Sequence, residues 1–166
     1  TETKLFESLL EAMDNKGIKA RAAQPEQILL EQAVIDVYAP IYEEYDEINA
    51  YSIVMKITYG EVKMLFTGDV PAEQEAEILN NDLTCHILKV AHHGSLTSTS
   101  EAFVKALGED CACAVICVGE DNRYGHPSEE VVERLKAYDI SVYPTSYYGN
   151  IMFVTDGEEW RLEYGI

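Results

Sequence analysis

The sequence predicts an α/β fold in which a mixed β-sheet is flanked by helices. Three short apolar runs, Lys63–Phe66, Ile87–Ala91 and Ala114–Val118, each stop at a turn that contains glycine, which is typical of buried strands. Segments with helical periodicity or helix-capping residues separate these runs along the chain. This alternation of strand, loop and helix, together with one hairpin, predicts a single α/β domain over residues 1–166 with a mixed sheet.

The N-terminal part is predicted to contain one helix followed by short strands. Leu5, Leu9 and Met13 recur at i, i+4 and i+8, and Gly17 follows as a helix terminator, so we predict a helix over Thr3–Lys16. The segments that we predict as short strands are Ile18–Arg21, Gln27–Leu30 and Val34–Tyr38.

The rest of the chain is predicted to contain a hairpin, three helices and three further strands. Gly60 separates two apolar segments, Ser52–Tyr59 and Glu61–Thr67, which predict an antiparallel hairpin. Ser100 and Ser128 are suited to cap the helices that follow them. The first of the three helices begins near Pro71, and the other two span Glu101–Leu107 and Glu129–Tyr138. The last three strands are predicted at Ser141–Tyr143, Ile151–Thr155 and Trp160–Tyr164.

Composition limits the partners that this chain can have. The net charge is −18, from 30 acidic and 12 basic residues, and such a surface repels phosphodiester backbones. We therefore expect these residues not to bind DNA strongly by themselves. The charge favours solubility and can also attract divalent cations. No nucleophile elbow, P-loop or dinucleotide fingerprint occurs, so these three chemistries have no support.

The four cysteines form no CxxC pair. Cys111, Cys113 and Cys117 share parity, so an extended strand would place them on one face, with Cys111 and Cys117 roughly 20 Å apart. That separation excludes a shared metal or disulfide for these two residues. We predict buried free thiols in a strand.

Three of the four histidines lie in loops that follow predicted strands: His92, His93 and His126. Asp69 follows the Lys63–Phe66 run in the same way. The carboxyl ends of adjacent strands converge at one edge of a sheet, and carboxylate oxygen and imidazole nitrogen are normal ligands of zinc or manganese. Simpler roles stay open, because Asp69 can cap the next helix and the histidines can be polar loop residues.

The three motifs together resemble a known superfamily. In order along the chain they are FTGD at residues 66–69, KVAHHGS at residues 89–95 and NRYGHP at residues 122–127. They are similar to motifs of the metallo-β-lactamase superfamily, and in particular to the hydrolase domain of ComEC-type DNA-uptake competence proteins. Residues 49–54 and 142–145 extend the resemblance to nearly the whole chain.

One motif of the superfamily is absent from the chain. The principal metal motif, HxHxDH, lies upstream of the others in the family and does not occur here. The chain begins at Thr1, inside what resembles the helix that links the two halves of the family's αββα sandwich. We therefore expect residues 1–166 to be the C-terminal half of such a domain, with one sheet face left for the missing N-terminal half or for a second copy.

The resemblance also implies roles for particular residues. Asp69 and His93 correspond to metal ligands, with Asp69 bridging two divalent ions, zinc or manganese, and Asp69 and His126 are the expected catalytic residues. His126 can bind phosphate, donate a proton or only order its loop. The residues expected to support the ligands or to face the substrate are His92, Ser95, Ser98, Asn122 and Tyr124. The hydroxyl groups among them also fit a simpler series of turns and caps.

The function implied by the resemblance is part of a metal-dependent hydrolase that acts on phosphodiesters, in DNA or a related nucleic acid, through a metal-activated hydroxide. Two protein ligands do not close a zinc site, so we expect the 166-residue chain alone to be inactive and to bind metal weakly or not at all. The alternative is a non-catalytic assembly module that self-associates through its exposed sheet face. The compartment is open, although the family suggests a bacterial cell-surface or secreted setting.

Overall fold

A seven-stranded mixed sheet forms the centre of the computed structural model, which describes residues 3–165. In spatial order its strands are β1 (Glu26–Leu30), β2 (Ala33–Ala39), β3 (Val54–Tyr59), β4 (Val62–Phe66), β5 (Ile87–Lys89), β6 (Cys113–Ile116) and β7 (Ser141–Pro144). Strands β1 to β4 pair antiparallel, and β4 to β7 pair parallel. The predicted α/β class with a mixed sheet is confirmed.

Three of the helices connect the parallel strands, and a separate hairpin follows β7. The helices are α1 (Lys4–Asn15), α2 (Ala72–Ile78), α3 (Glu101–Ala106), α4 (Glu129–Ala137) and α5 (Thr145–Tyr148), and the hairpin consists of β8 (Ile151–Thr155) and β9 (Trp160–Tyr164). Ser100 caps α3 as predicted, because its hydroxyl accepts a hydrogen bond from the Phe103 N–H group. Ser128 precedes α4 without a side-chain capping bond.

The core lies between one face of the sheet and helices α2, α3 and α4. The strands contribute Leu65, Leu88, Ala114 and Ile116, and the helices contribute Ile78, Phe103, Val104, Val131 and Leu135, all of them buried. Burial of each large apolar side chain contributes about 1.5–3 kcal/mol. This layer fixes the sheet, and the loops at the carboxyl ends of its parallel strands are built on that rigid base.

The other face of the sheet is apolar but only half-buried. Met64, Phe66 and Val115 line a cleft of about 360 Å³ together with residues of β8. The hairpin β8–β9 reaches across this face as far as the β3–β4 turn, where the Glu61 N–H group donates to the Gly157 carbonyl (2.6 Å). An exposed sheet face was expected from the sequence, and this hairpin covers part of it.

Two sequence predictions are wrong. Ile18–Arg21 is not a strand, because β1 already forms the edge of the sheet and Ile18 is 54% exposed, with no strand beside it. Strand β6 spans Cys113–Ile116, so Cys111 and Cys117 both lie outside it, and Cys117 is exposed rather than buried. Within residues 3–165, none of the helices has the length and apolar character needed to cross a membrane.

Candidate functional site

Three loops that follow parallel strands meet at one edge of the sheet. Backbone hydrogen bonds join them: the His92 N–H group donates to the Gly68 carbonyl (3.2 Å), and the Ser128 N–H group donates to the Gly94 carbonyl (2.8 Å). Adjacent parallel strands end at the same edge, so β4, β5 and β6 deliver their loops to one place. This is the edge where the sequence predicts the functional residues.

The Asp69 carboxylate faces this edge. Its Oδ1 atom lies 3.8 Å from Nε2 of His93 and 3.8 Å from Nζ of Lys89, and its side chain is 38% exposed. The Asp69 N–H group donates to the Ser52 hydroxyl (3.0 Å), which holds the backbone in place. Helix α2 has Pro71 at its N-cap and no side-chain capping bond, so Asp69 does not cap it. The carboxylate is therefore available to bind a ligand.

A main-chain carbonyl sets the tautomer of His93. Its Nδ1 atom lies 2.6 Å from the Cys117 carbonyl oxygen, which can only accept a hydrogen bond, so Nδ1 carries the proton. The lone pair is then on Nε2, the atom that faces Asp69. An imidazole that donates to a carbonyl through one nitrogen and offers the other is the usual arrangement of a metal-bound histidine.

The turn that carries the two histidines is strained. His92 (φ 47°), His93 (φ 56°) and Gly94 (φ 78°) are three consecutive residues in the left-handed region. This conformation costs about 1–2 kcal/mol for each residue that is not glycine. A Cβ atom at Gly94 would lie 2.7 Å from Cβ of Pro127, so glycine is required where the His126–Pro127 segment packs. Strain of this kind is a reason to infer function at this turn.

His126 joins the other two loop histidines at this edge. Its ring centroid lies 6.0 Å from that of His92 and 5.9 Å from that of Tyr124, which is stacked on it. Burial, followed by the proximity of His92 and His93, lowers the pKa of His126. These effects favour the neutral imidazole, which can accept a proton or donate one hydrogen bond.

The remaining predicted site residues serve mainly their own loops. Asn122 accepts from the His126 N–H group (2.8 Å) and donates to the His126 carbonyl (2.7 Å), which closes the loop. Ser95 lies 3.0 Å from Thr97, whose hydroxyl is 3.3 Å from Nδ1 of His92. Ser98 is buried and donates to a main-chain carbonyl in the β4–α2 loop (2.8 Å).

Two clefts of different character flank the histidines. His93, Tyr124 and His126 line a small cleft of about 410 Å³ with the Cys117–Gly119 segment. His92 lies on the wall of a larger cleft of about 1000 Å³, which contains three tyrosines and five acidic residues. The acidic cleft repels phosphate, so the smaller one is the better place for an anionic substrate.

The donor set fits part of a metal site. Asp69 and His93 offer a carboxylate oxygen and an imidazole nitrogen 3.8 Å apart, against about 3.4 Å for two ligands of one tetrahedral zinc ion. Across residues 3–165, no group of three or more His, Cys, Asp or Glu side chains is arranged to hold a metal ion. The described residues can thus supply two ligands to zinc or manganese.

Sequence reasoning missed two groups that shape the site. Lys89 donates from Nζ to the Gly68 carbonyl (2.8 Å) and approaches Asp69, and a lysine inside the apolar run Ile87–Ala91 was the available signal. The Cys117 carbonyl is a backbone group, and the sequence carries no signal that it would meet His93.

Comparison with known proteins shows which proteins this chain is similar to in sequence. No protein-family profile matches the chain. It is 30% identical over 150 residues, 89% of its length, to ComE operon protein 3 of Bacillus subtilis strain 168. It is 32% identical over 108 residues to competence protein ComA of Neisseria gonorrhoeae, and 34% identical over 103 residues to recombination protein 2 of Haemophilus influenzae.

The matches cover most of this chain but only a small part of each relative. The matches to the Neisseria and Haemophilus proteins cover 63% and 62% of this chain. The matched segment makes up 19%, 15% and 13% of the three relatives, so the chain spans less than a fifth of their length. The chain is a homologue of segments of these three proteins, one of which is named a competence protein, in agreement with that part of the resemblance, and the superfamily assignment stays a prediction.

Proposed function

We propose that this chain is part of a metal-dependent phosphodiesterase that acts on DNA or a related nucleic acid during DNA uptake. One observation carries the proposal: the Nε2 lone pair of His93 faces the Asp69 carboxylate at an edge built by neighbouring parallel strands. Similarity to a competence protein supports the connection with DNA uptake.

Each residue of the site has a different proposed role. Asp69 and His93 would bind the metal, and a bound divalent ion lowers the pKa of a water molecule and stabilises negative charge on a phosphate. The Cys117 carbonyl keeps His93 in the tautomer that offers Nε2. Lys89 offsets the charge of Asp69. His126 lies on the wall of the small cleft, and its neutral imidazole can take a proton or donate a hydrogen bond to a phosphate oxygen.

The site needs ligands from outside residues 3–165. A catalytic zinc ion ordinarily has three protein ligands and a dinuclear site has more, whereas the described residues offer two. We propose that the others come from a further segment of the same protein or from a second copy. The 166-residue chain alone should then hydrolyse no phosphodiester.

The test is hydrolysis of a labelled single-stranded oligonucleotide in Mn²⁺ or Zn²⁺ by the protein as its gene encodes it. Asp69→Ala and His93→Ala should each lower the rate by at least about 100-fold, because each removes a metal ligand. His86→Gln is the matched control, since His86 binds the Lys63 N–H group at the opposite end of β5. Unchanged rates in both ligand variants would refute the proposal.

A second candidate function, a self-associating interaction module, has one observation in its favour, and it concerns helix α1 rather than the sheet face expected from the sequence. Helix α1 has no buried residue although it presents an apolar stripe, on which Leu5 is 81% and Leu9 54% exposed. A second copy could cover this stripe, although a net charge of −18 on each copy opposes self-association. Sedimentation equilibrium tests this function, which predicts a dimer that the Leu9→Glu substitution dissociates. A chain that stays monomeric up to about 100 µM would exclude it.

A further inference from the structure

Two cysteines that the candidate site does not use lie in contact inside the protein. Cys85 and Cys111 are both free thiols, and they are 1% and 3% exposed. Their sulfur atoms are 3.8 Å apart, with the Cys85 thiol donating to the Cys111 sulfur. The sequence did not suggest this pair, because 26 residues separate the two positions.

The backbone places the two residues side by side. Ile87 of β5 is the parallel partner of Cys113 of β6, and Cys85 and Cys111 each lie two residues earlier. The His86 carbonyl accepts from the Ala112 and Cys113 N–H groups (3.0 and 3.2 Å), so contact between the two backbones extends to the residues next to the cysteines, whereas the Cys85 N–H group donates to the Leu107 carbonyl (3.2 Å). Neighbouring strands lie about 4.8 Å apart, within the Cα separation of about 4.4–6.8 Å that a disulfide spans. Bond formation needs the sulfur atoms to approach by about 1.8 Å.

We propose that Cys85 and Cys111 are a modification site, at which a small-molecule disulfide such as glutathione disulfide oxidises them to a reversible intramolecular disulfide. The Cys111 thiolate attacks one sulfur of glutathione disulfide, and one glutathione thiolate leaves. The Cys85 thiolate then attacks the Cys111 sulfur of this mixed disulfide, and the second glutathione leaves. The two protein thiols lose two electrons and two protons, and one glutathione disulfide becomes two glutathione molecules.

The surroundings of the pair support this order of attack. The hydrogen bond from Cys85 lowers the pKa of Cys111, whereas that bond and burial raise the pKa of Cys85. Cys111 is therefore the first nucleophile. Lys56 and Asp82 are the charged groups close enough to influence Cys85. Because both thiols are buried, the oxidant reaches them only during transient opening, so oxidation should take minutes to hours.

The disulfide would close a covalent loop around the segment that carries the His92–His93 turn of the candidate site. Residues 85–111 contain β5, the strained turn His92–Gly94 and helix α3. The bridge would lie before β5 and β6, at the opposite ends of these strands from the site, so it would not touch Asp69 or His93. Closing a loop of this size should raise the melting temperature by about 10 °C.

The test uses Cys113→Ala/Cys117→Ala, which keeps only Cys85 and Cys111, and a matched variant that also carries Cys111→Ser. Each protein is incubated for a day in glutathione buffers of increasing oxidising strength and is also refolded in them. Free thiols are then alkylated and the mass is measured. We expect the first variant to lose two hydrogens and to melt about 10 °C higher, with reversal by dithiothreitol, and the matched variant to show neither change.

The unmodified chain provides a second reading that does not depend on the substitutions. After oxidation, alkylation of the remaining free thiols and digestion with trypsin, the peptide that contains Cys85 should be joined to the peptide of residues 106–123, which contains Cys111, Cys113 and Cys117. Fragmentation of the joined peptides should then find the alkyl group on Cys113 and Cys117 and the disulfide at Cys111. Two outcomes would overturn the proposal: both thiols remain open to alkylation after oxidation of the folded and the refolding chain, or Cys111 pairs instead with Cys113 or Cys117.

Discussion

Main-chain atoms hold the functional side chains of the candidate site in place. The Cys117 carbonyl fixes the proton of His93 on Nδ1, and the Gly68 carbonyl holds the Lys89 ammonium beside Asp69. Neither interaction involves a second functional side chain. The backbone of the neighbouring strand end thus decides how Asp69 and His93 face each other.

Glu75 shows the same dependence away from the site, and it offers the first prediction. Its buried carboxylate accepts from the N–H groups of Thr99 (2.5 Å) and Ser100 (2.8 Å), where α3 begins. Glu75→Ala leaves both donors buried without an acceptor and should lower the free energy of unfolding by about 2–4 kcal/mol. Urea denaturation measures this, with exposed Glu73→Ala on the same helix as the control. Equal effects of the two substitutions would contradict the assignment.

At the scale of elements, the turn between β5 and α3 needs glycine at one position. In Gly94→Ala, the new Cβ atom would meet Pro127 while φ stays near 78°. We expect a loss of about 2–3 kcal/mol in the free energy of unfolding and a displaced His126 loop. Gly119→Ala is the control, because its Cβ would have no neighbour within 4 Å. Matching stability for the two variants, with unchanged loop resonances in NMR spectra, would show that the packing argument is wrong.

A second element-scale prediction concerns the ion pair that ties β3 to the loop before β5. Lys56 is 3% exposed, and its Nζ atom donates to the Asp82 carboxylate (2.7 Å), whose side chain is 58% exposed. Asp82→Asn leaves a buried ammonium without its counter-charge, whereas Lys56→Met leaves a carboxylate that water can solvate. The Asp82 substitution should therefore destabilise the fold more, which thermal melting measures. The reverse order would contradict this account.

The same pair gives a pH dependence of known sign. Hydrogen bonds from Lys56 and then Thr84 lower the pKa of Asp82 well below its ordinary value. A carboxyl group whose pKa is lower in the folded state stabilises the fold fully when the pH is above its pKa in the unfolded state, about 3.9. This stabilisation is lost as the pH falls below that value towards the pKa of the folded state. The difference in melting temperature between wild type and Asp82→Asn should therefore shrink below about pH 4. A constant difference down to pH 2 would exclude the mechanism.

Local sequence pattern predicted most of the elements because the apolar runs are unambiguous. The hairpin at Gly60, the cap at Ser100 and the last two strands are present where the pattern places them. The strand predicted at Ile18–Arg21 is absent because a strand needs a neighbouring strand to pair with, and the sequence does not reveal whether one is there.

The candidate site was predictable only in part. The sequence places Asp69, His93 and His126 after strands, so their convergence follows from topology. The left-handed turn, the Cys117 carbonyl and the Cys85–Cys111 contact depend on register and main-chain direction. Those become visible only when the strands are paired.

At the scale of the whole molecule, charge sets a limit on what the chain can bind alone. With a net charge of −18 and an acidic cleft beside His92, the surface repels DNA. We predict no saturable binding of single- or double-stranded oligonucleotides below about 100 µM at 150 mM salt, measured by fluorescence anisotropy. Micromolar binding that weakens steeply with salt would reveal a basic surface that this structure does not show within residues 3–165.

One measurement tests directly whether Asp69 and His93 act together on a metal ion. Zn²⁺ is added to the ¹⁵N-histidine-labelled chain, and the ring nitrogens are followed by NMR. We predict a selective shift of Nε2 of His93 at high micromolar to millimolar zinc, with Nδ1 still protonated, and loss of that shift in Asp69→Ala. If His93 does not respond to zinc, or responds equally without Asp69, the two residues do not form a metal site.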